Sequence, residues 1–385
     1  MIYADNAATT KISDSVLEKM LPFLREEYGN ASSQYSLGTK AKRAIEQARR
    51  QIATALGAQQ SEIFFTSGGS ETNSWVLRNV TDCLCNGAVH IITSSVEHHS
   101  VLHACQNLET HGVEVTYLPV DSNGVVCVDD LKAAIKPNTK LVSIMLVNNE
   151  IGAIQPISEI GKYLHAQGIL FHTDAVQAVG HIPVDVNALH VDFLTGSAHK
   201  FNGPKGVGVL FKKADQCLPA LIFGGEQEHG LRAGTENVAG IVGTGCAAKE
   251  SISSMDDVSQ RLNRLSQKTF NAIQEQIPNV RHNGALALRL PGILNLGFDD
   301  ISGEALMNLL DLKGVCVSTS SACNAGKNES SHVLLAMGQT EEEAKSAIRI
   351  SYGRFNNEED ATKISKGIGD AYRKRAGIAG SGVKT

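Results

Sequence analysis

The sequence predicts an α/β protein that combines a mostly parallel sheet in a large domain with a smaller α+β domain. Between residues 62 and 211, short apolar segments typical of buried strands alternate with longer amphipathic segments typical of helices. This alternation favours a parallel sheet that is covered by helices on both faces. After about residue 251 the segments become shorter and more mixed, and a chain of 385 residues exceeds the size at which one core keeps growing.

The N-terminal residues MIYADNAATT are expected to form a loop that leads to a helix after Ser13, a residue type that commonly caps helices. A second helix is predicted over residues 40–56, where small and apolar side chains recur on one stripe. Gly57 follows this stripe, as expected at a helix C-terminus.

Strand and helix patterns then alternate along the chain. The predicted strands read EIFFT, HIITS, VEVTYLP, KLVSIMLV, ILFHT, VDFLT and GVGVLF. The helices between them begin at Glu71, His99, Val128 and Ile157. Because ligands in such sheets bind beyond the carboxyl ends of the strands, the polar residues that follow each strand are candidate functional residues.

The C-terminal part begins with a charged helix over residues 257–277. Shorter elements follow, namely ILNLGF, SGEALMNLLDL, GVCVST, EEEAKSAI, IRISYG and a last helix from Glu358 to Arg375. We therefore predict a large domain at residues 13–255 and a small domain formed by residues 1–12 and 256–385.

The composition excludes several classes of protein. No apolar run reaches the ~18 residues of a membrane span, and the N-terminus has no signal-peptide pattern, so a cytoplasmic protein is expected. A net charge of -5 offers no positive field, so nucleic acid is not expected as a main ligand. The eight cysteines are scattered without CxxC pairs, which argues against a disulfide framework or a metal site.

Lys200 lies in the segment TGSAHKFNGPKGVGV, between two apolar runs that are short enough to be buried strands. A free lysine amine has a pKa of about 10.4 and is rarely neutral at pH 7, so a lysine here is understandable if its amine forms an imine with an aldehyde cofactor. The alternative is a surface lysine on a Gly/Pro turn.

The segment FTSGGSET, residues 65–72, is a strand followed by a Ser/Gly turn that opens a helix, which is typical of a phosphate site or of an ordinary capped helix. Asp174 and Gln177 follow another strand and can contact the nitrogen and the oxygen of a pyridine ring, although Asp174 could also be a helix cap.

His98 follows the strand HIITS and can stack on a ring and transfer protons, although a lone histidine is more often structural. Asn149 follows the strand KLVSIMLV as a neutral donor, with Asn148 as the alternative. Arg349, in IRISYGRF, can bind a carboxylate in a bidentate fashion.

Cys323 lies in TSSACNAGKNESS, at about residues 319–331, a segment without Val, Ile, Leu or aromatic residues. Nothing in this segment can anchor it in a core, so a mobile loop is expected. A thiolate in such a loop is a strong nucleophile, and the alternative is an exposed cysteine without a function.

Together, these motifs resemble the pyridoxal-phosphate-dependent cysteine desulfurases of the iron–sulfur-assembly type, from the opening YADNAATT to the closing GRFNNEED. The resemblance implies the fold of the aspartate aminotransferase-like transferases (fold type I) and pyridoxal 5'-phosphate as cofactor. It also implies L-cysteine as substrate and a homodimer that passes sulfur to an acceptor protein.

The resemblance further implies a role for each candidate residue. Lys200 would hold the cofactor covalently, His98 would stack on its ring, and Cys323 would take the sulfur. The remaining contacts are implied to be Asp174 with the ring nitrogen, Gln177 with the phenolic oxygen, Asn149 and Arg349 with the substrate carboxylate, and Gly69, Ser70, Ser197, His199 and a second subunit's Thr235 with the phosphate.

Two segments depart from the usual family pattern. The chain reads STSSAC where SSGSAC is usual, and it has Glu226 and His229 where Gly and Arg are common. We expect these changes to affect loop mobility, the dimer contact or a docking surface. The other activities compatible with the motifs are those of a selenocysteine lyase, another pyridoxal-phosphate lyase or an aminotransferase, and a non-catalytic docking scaffold is the alternative outside enzymes.

Overall fold

The computed structural model describes residues 1–83, 89–285, 288–319 and 330–375. It contains a seven-stranded sheet, a four-stranded sheet and a two-stranded sheet. The strands are β1 (Ile2–Tyr3), β2 (Ile63–Thr66), β3 (His90–Ser94), β4 (Glu114–Leu118), β5 (Thr139–Ser143), β6 (Leu170–Asp174), β7 (Phe193–Ser197), β8 (Gly208–Lys212), β9 (Arg281–His282), β10 (Ile293–Gly297), β11 (Val315–Cys316), β12 (Ser318–Thr319) and β13 (Ala347–Ser351).

The helices pack against these sheets. They are α1 (Asp14–Arg25), α2 (Ser36–Leu56), α3 (Gly69–Cys83), α4 (His99–Glu109), α5 (Val128–Ala134), α6 (Ile157–Gln167), α7 (Val186–Leu189), α8 (Val238–Ser253), α9 (Met255–Gln276), α10 (Gly303–Asp311), α11 (His332–Ala336), α12 (Glu341–Lys345) and α13 (Glu358–Arg375). Among the described helices, none has the length and apolar character needed to cross a membrane.

The large sheet confirms the predicted, mostly parallel arrangement. Its strand order is β2-β8-β7-β6-β5-β3-β4, and the five strands from β7 to β4 in this order run parallel to one another. Strand β8 is antiparallel to both β2 and β7. The carboxyl ends of the parallel strands therefore meet at one edge of the sheet, which is where ligands bind in open α/β sheets.

Both faces of the large sheet are covered, because consecutive strand residues point to opposite sides. In β3, Ile92 belongs to the core beneath α2 and α6, whereas Ile91 belongs to the core beneath α3 and α4. Val142 and Leu141 of β5 divide in the same way. The near-continuous apolar strands seen in the sequence are explained by this two-sided burial.

The predicted helix signals are confirmed at α1 and α2. Ser13 caps α1 by accepting the amide hydrogen of Val16, and Gly57 ends α2 in the left-handed region with φ 66°. Helix α8 packs closely on α2, because a side chain at Gly245 would approach the Cα of Ala48 to 2.6 Å. The small residues of the segment GTGCAA therefore serve close helix packing.

The C-terminal residues form a second core around the sheet β12-β13-β10-β9. Ala4 belongs to this core, and β1 pairs in parallel with β11, so the N-terminal residues pack with the C-terminal part of the chain. The division near residue 255 stays a prediction, and the separate packing of the two cores supports it.

Several predicted elements differ from the structure: the N-terminal segment expected to be a loop contains β1, the segment GVCVST forms two strands, and a strand and a helix end earlier than expected. The strand expected to reach Val147 ends at Ser143, although the amides of Ile144 and Leu146 still donate to the backbone of β6 and its flanks. The helix expected over EEEAKSAI ends at Lys345, because β13 begins at Ala347 and pairs there with β10.

Arg49 and Glu228 form a buried ion pair that joins α2 to the loop before Thr235. Both side chains are about 4% exposed, and the guanidinium donates to both carboxylate oxygens at 2.7 and 2.8 Å. Glu228 also accepts the amide hydrogen of Phe65 in β2 at 2.9 Å. Glu228 and His229 both lie in the left-handed region, so the ion pair holds a strained segment in place.

We predict that Arg49→Met lowers the free energy of unfolding by about 3–5 kcal/mol, because it leaves the Glu228 carboxylate buried without its partner. The fluorescence of Trp75, the single tryptophan, can follow unfolding in urea. Lys363→Met is the control, since it removes an exposed pair with Glu359 and should leave the urea midpoint unchanged. Equal midpoints for the two variants would contradict the prediction.

Candidate active site

A cavity of about 320 Å³ lies at the carboxyl ends of the parallel strands. Its lining residues come from the ends of the strands, from the first turns of α3 and α4, from the N-terminal segment and from β13. They are Ala7, Ala8, Gly69, Ser70, Asn73, His98, Ser100, Met145, Val147, Asn149, Asp174, Val176, Gln177, Ser197, His199, Lys200 and Arg349.

Lys200 reaches this cavity from a short turn directly after β7. Its Nζ atom donates to the backbone oxygens of Ala7 at 2.6 Å and Ala8 at 2.8 Å. The backbone of the turn is also fixed, because His181 Nε2 donates to the backbone oxygen of Lys200 at 2.8 Å. The amine is therefore fixed at the cavity wall and is not the surface lysine of the alternative interpretation.

Asp174 ends β6 and is 5% exposed. Its carboxylate accepts hydrogen bonds from Asn73 Nδ2 at 2.7 Å and from the amide of Val176 at 2.9 Å, which fix its orientation. Gln177, in the turn that follows, donates to the backbone oxygen of Ala7 at 2.9 Å. One carbonyl of the N-terminal segment thus contacts both Gln177 and Lys200.

His98 lies directly before α4 and caps it. Its Nδ1 atom accepts the amide hydrogen of Ser100 at 3.1 Å, so a neutral ring carries its proton on Nε2. Burial lowers the pKa of His98 below its ordinary value, against the opposing effect of the Asp174 charge and with a further lowering by Lys200. The ring is therefore neutral near pH 7, which suits both stacking and proton transfer.

Gly69 and Ser70 form the first turn of α3, where the backbone N–H groups have no partner within the helix and can bind an anion. A second cavity lies beside the first at this point, with Ser197, His199 and Lys205 in its wall. Burial, together with the charges of Lys200 and Lys205, lowers the pKa of His199 to about 4. This end of the site is suited to a phosphate group.

Arg349, in β13, also lines the first cavity and is 3% exposed. Its guanidinium donates to the backbone oxygen of Asn149 at 2.9 Å and to the Asp5 carboxylate at 2.7 Å. Its buried Nε atom has no hydrogen-bond partner within the part of the chain that the structure describes. A donor left in this state can accommodate a substrate carboxylate.

Pyridoxal phosphate fits the residues present. The cavity offers an amine at Lys200, a carboxylate at Asp174 that can contact the ring nitrogen, and a neutral imidazole at His98 that can stack on the ring. The anion-binding turn lines both cavities, whereas the buried guanidinium lines only the first. The arrangement can therefore bind an amino acid next to the ring and transfer a proton at its Cα atom.

Ten of the twelve site residues predicted from the sequence line this cavity. They are Gly69, Ser70, His98, Asn149, Asp174, Gln177, Ser197, His199, Lys200 and Arg349. Thr235 is exposed and does not line the cavity of its own chain. The prediction for Cys323 falls outside the described residues.

Sequence reasoning missed Asn73, Ser100 and the N-terminal residues Asp5, Ala7 and Ala8. Asn73 could have been found, because it lies one helical turn after Gly69 and on the same side of α3. The N-terminal residues gave no comparable signal, since their contacts with Lys200 and Arg349 span more than 190 residues of chain.

Comparisons with known proteins agree with this geometry. The family model described as aminotransferase class-V matches residues 2–364. A cysteine desulfurase IscS of Methanosarcina thermophila is 45% identical over 97% of this chain and 92% of its own length. One of Clostridium botulinum is 47% identical over 97% of this chain and 95% of its own length.

A solved structure of a NifS-like protein superposes with a TM-score of 0.92 at 38% identity, over 97% of this chain and 99% of that chain. The fold type I arrangement implied by the resemblance is confirmed, and the alternative activities of a selenocysteine lyase or aminotransferase are not favoured. The chain belongs to the class-V aminotransferase family and, within it, to the pyridoxal-phosphate-dependent cysteine desulfurases.

Proposed function

We propose that this chain removes the sulfur atom of L-cysteine, transfers it to the thiol of Cys323 and releases L-alanine. The observation that carries the proposal is the arrangement of Lys200, His98 and Asp174 around one cavity that also contains the buried guanidinium of Arg349. The family membership of the chain supports the same activity.

Pyridoxal phosphate, when bound, supplies an electron-withdrawing ring that makes the Cα proton of an attached amino acid acidic. Asp174 would hold the ring nitrogen, and Asn73 orients its carboxylate for this contact. Gly69 and Ser70 would bind the phosphate together with Ser197 and His199.

Residues of the chain carry out the remaining steps, which are substrate orientation, proton transfer and sulfur transfer. Arg349 and Asn149 orient the carboxylate of the substrate, and the Lys200 amine takes the proton from Cα. His98, neutral and with its proton on Nε2, can exchange a proton with the substrate from the opposite side of the cavity. The Cys323 thiolate attacks the substrate sulfur, so that an S–S bond forms as the C–S bond breaks and a persulfide remains on Cys323.

Sulfur must next leave the active site, and we propose that Cys323 carries it to an acceptor protein of iron–sulfur cluster, thio-tRNA or related sulfur pathways in the cytoplasm. The segment at about residues 319–331 would perform this transfer as part of the small domain.

We further propose a homodimer in which Thr235 contacts the phosphate of the second subunit's cofactor. Thr235 is exposed, and its segment is fixed to the phosphate end of its own chain because Arg232 donates to Glu71 at 2.9 Å. Phe223 in the same loop is 88% exposed, which is unusual for a large apolar side chain and supports an interface here.

We predict that the purified protein is yellow and that Lys200→Ala is colourless after gel filtration, because without the amine the cofactor is bound by non-covalent contacts alone. Visible absorbance spectra of the two proteins at equal concentration measure this difference. Lys213→Ala, at a lysine that does not line the cavity, is the control and should remain yellow. A yellow Lys200→Ala protein would contradict the role of Lys200.

We also predict that incubation with L-cysteine adds one sulfur atom to the peptide that contains Cys323, as measured by mass spectrometry without a reducing agent. Cys323→Ser should form alanine from cysteine at least about 100-fold more slowly, because it lacks the nucleophile. Cys127→Ser removes an exposed thiol elsewhere and should behave as the wild type. Unchanged alanine formation in Cys323→Ser would show that another group attacks the substrate sulfur.

A further inference from the structure

Glu150 lies directly after the cavity residue Asn149 and is 4% exposed. Its Oε2 atom is 2.5 Å from the hydroxyl of Ser331, which donates to it. Ser331 is also the N-cap of α11, since its oxygen accepts the amide hydrogen of Leu334 at 3.2 Å. One serine therefore joins the start of α11 to the substrate end of the cavity.

The next residue, His332, makes a similar contact with the residue that precedes His98. Its Nε2 atom donates to the backbone oxygen of Glu97 at 2.9 Å, and Glu97 directly precedes His98. The first residues of α11 are thus bonded to the neighbours in sequence of two cavity residues, Asn149 and His98.

The backbone of Glu150 is held as firmly as its side chain. Its amide hydrogen is accepted by Asn148 Oδ1 at 2.8 Å, and its carbonyl oxygen accepts a hydrogen bond from Asn295 at 3.2 Å. Asn148, which the sequence left as an alternative to Asn149, is thus a structural residue of this turn. The backbone of Glu150 is therefore fixed in this turn, and its side chain is buried.

The protonation of the Glu150 carboxyl group depends on opposing effects on its pKa. Burial raises the pKa of Glu150, while the Ser331 hydrogen bond and the charge of Arg349 lower it, and the result is a pKa of about 7. The nearby charged groups are Arg349 of β13 and Asp5, which is bonded to that guanidinium. Glu97, the residue before His98, has a pKa raised to about 8 by burial and is neutral at pH 7.

A substrate carboxylate that approaches Arg349 meets the sum of these charges. With Glu150 protonated, the positive charge of Arg349 and the negative charge of Asp5 cancel. With Glu150 ionised, the same region carries a net negative charge and repels the incoming carboxylate. The protonation state of Glu150 therefore alters how strongly Arg349 can bind a substrate.

We propose that Glu150 is a positioning residue that acts through Arg349, by setting the charge that a substrate carboxylate meets there, and that Ser331 couples this charge to the start of α11. The inference rests on the proposed function, because it takes Arg349 as the carboxylate site. Protonation of Glu150 strengthens substrate binding, and loss of the Ser331 hydrogen bond favours the protonated form.

The test uses the cofactor-loaded enzyme and L-alanine, which has the carboxylate and amine of the substrate but no sulfur. Its dissociation constant is measured from the change in the visible spectrum between about pH 6 and pH 8.5, a range that spans the pKa of Glu150. Effects of the L-alanine amine and of His98 are common to all variants, so each variant is compared with the wild type at the same pH.

Glu150→Gln should bind L-alanine as the wild type does near pH 6 and about fivefold more tightly near pH 8, because the glutamine remains neutral. Ser331→Ala should move the pH midpoint of the wild-type curve upwards, and Ser331→Thr, which keeps the hydroxyl, should restore it. The same pH dependence in the wild type and in Glu150→Gln would overturn the proposal, as would an unmoved midpoint in Ser331→Ala.

Ser13→Ala provides a matched control. Ser13 also caps a helix and donates to a glutamate, Glu250, at 2.7 Å, and neither residue lines the cavity. This variant should leave the pH dependence unchanged, and a shift as large as that of Ser331→Ala would also overturn the proposal. If the wild type binds no cofactor or shows no spectral response to L-alanine, the proposed function fails, which is a different outcome from equal pH curves.

Discussion

The contacts between the N-terminal segment and the turn after β7 are the constraint on which the active site depends, and in this structure they include hydrogen bonds from the Lys200 amine to the carbonyl oxygens of Ala7 and Ala8. They join the turn after β7 to an N-terminal segment whose first residues pair with the C-terminal part of the chain. The same segment supplies Asp5 to Arg349 and a carbonyl oxygen to Gln177. Together with the hydrogen bond from Arg349 to the backbone oxygen of Asn149, this segment fixes the guanidinium relative to the Lys200 amine.

The electrostatics of the cavity follow from burial more than from the types of residue present. His98 and His199 are kept neutral by burial and by nearby lysines, and Glu97 is kept neutral by burial and by the charge of Asp174, against the effect of two hydrogen bonds. The charge that remains is concentrated on Lys200, Asp174 and the pair of Arg349 with Asp5, and Glu150, with a pKa of about 7, adds a negative charge as the pH rises. Pyridoxal phosphate chemistry requires charges at these positions and few others, because an extra buried charge would change the ionisation of the ring and the amine.

The sequence alone predicts the parts of the site that follow strands, because a buried strand and the polar residue after it are adjacent in the chain. Asp174, Gln177, His98 and Lys200 were found in this way, and so was the sheet that brings them together. The contacts of Asp5 and Ser331 could not be predicted, since they depend on how two cores pack over distances of more than 180 residues. The predicted ends of β5 and α12 were wrong for a related reason, because contacts with neighbouring strands that are distant in the sequence decide where each element ends.

Glu97 shows that part of the stability of this fold is given up at the active site. An unfolded glutamate has a pKa near 4.3, and burial raises the pKa of Glu97 to about 8. The contribution of Glu97 to the free energy of unfolding is therefore fully present only below the pKa of the unfolded glutamate. It is lost as the pH rises through about 8, where the folded state also releases the proton. One oxygen of Glu97 accepts hydrogen bonds from Ser94 and from the amide of Met145, which lines the cavity. The other oxygen has no partner among the described residues, and a buried oxygen without a partner destabilises the fold. An apolar side chain would therefore be more stable at this position if packing were its only role. A protonated glutamate can still accept these hydrogen bonds, so it joins the end of β3 to the segment after β5 next to His98. A charged group at this position would add to the negative charge of Asp174.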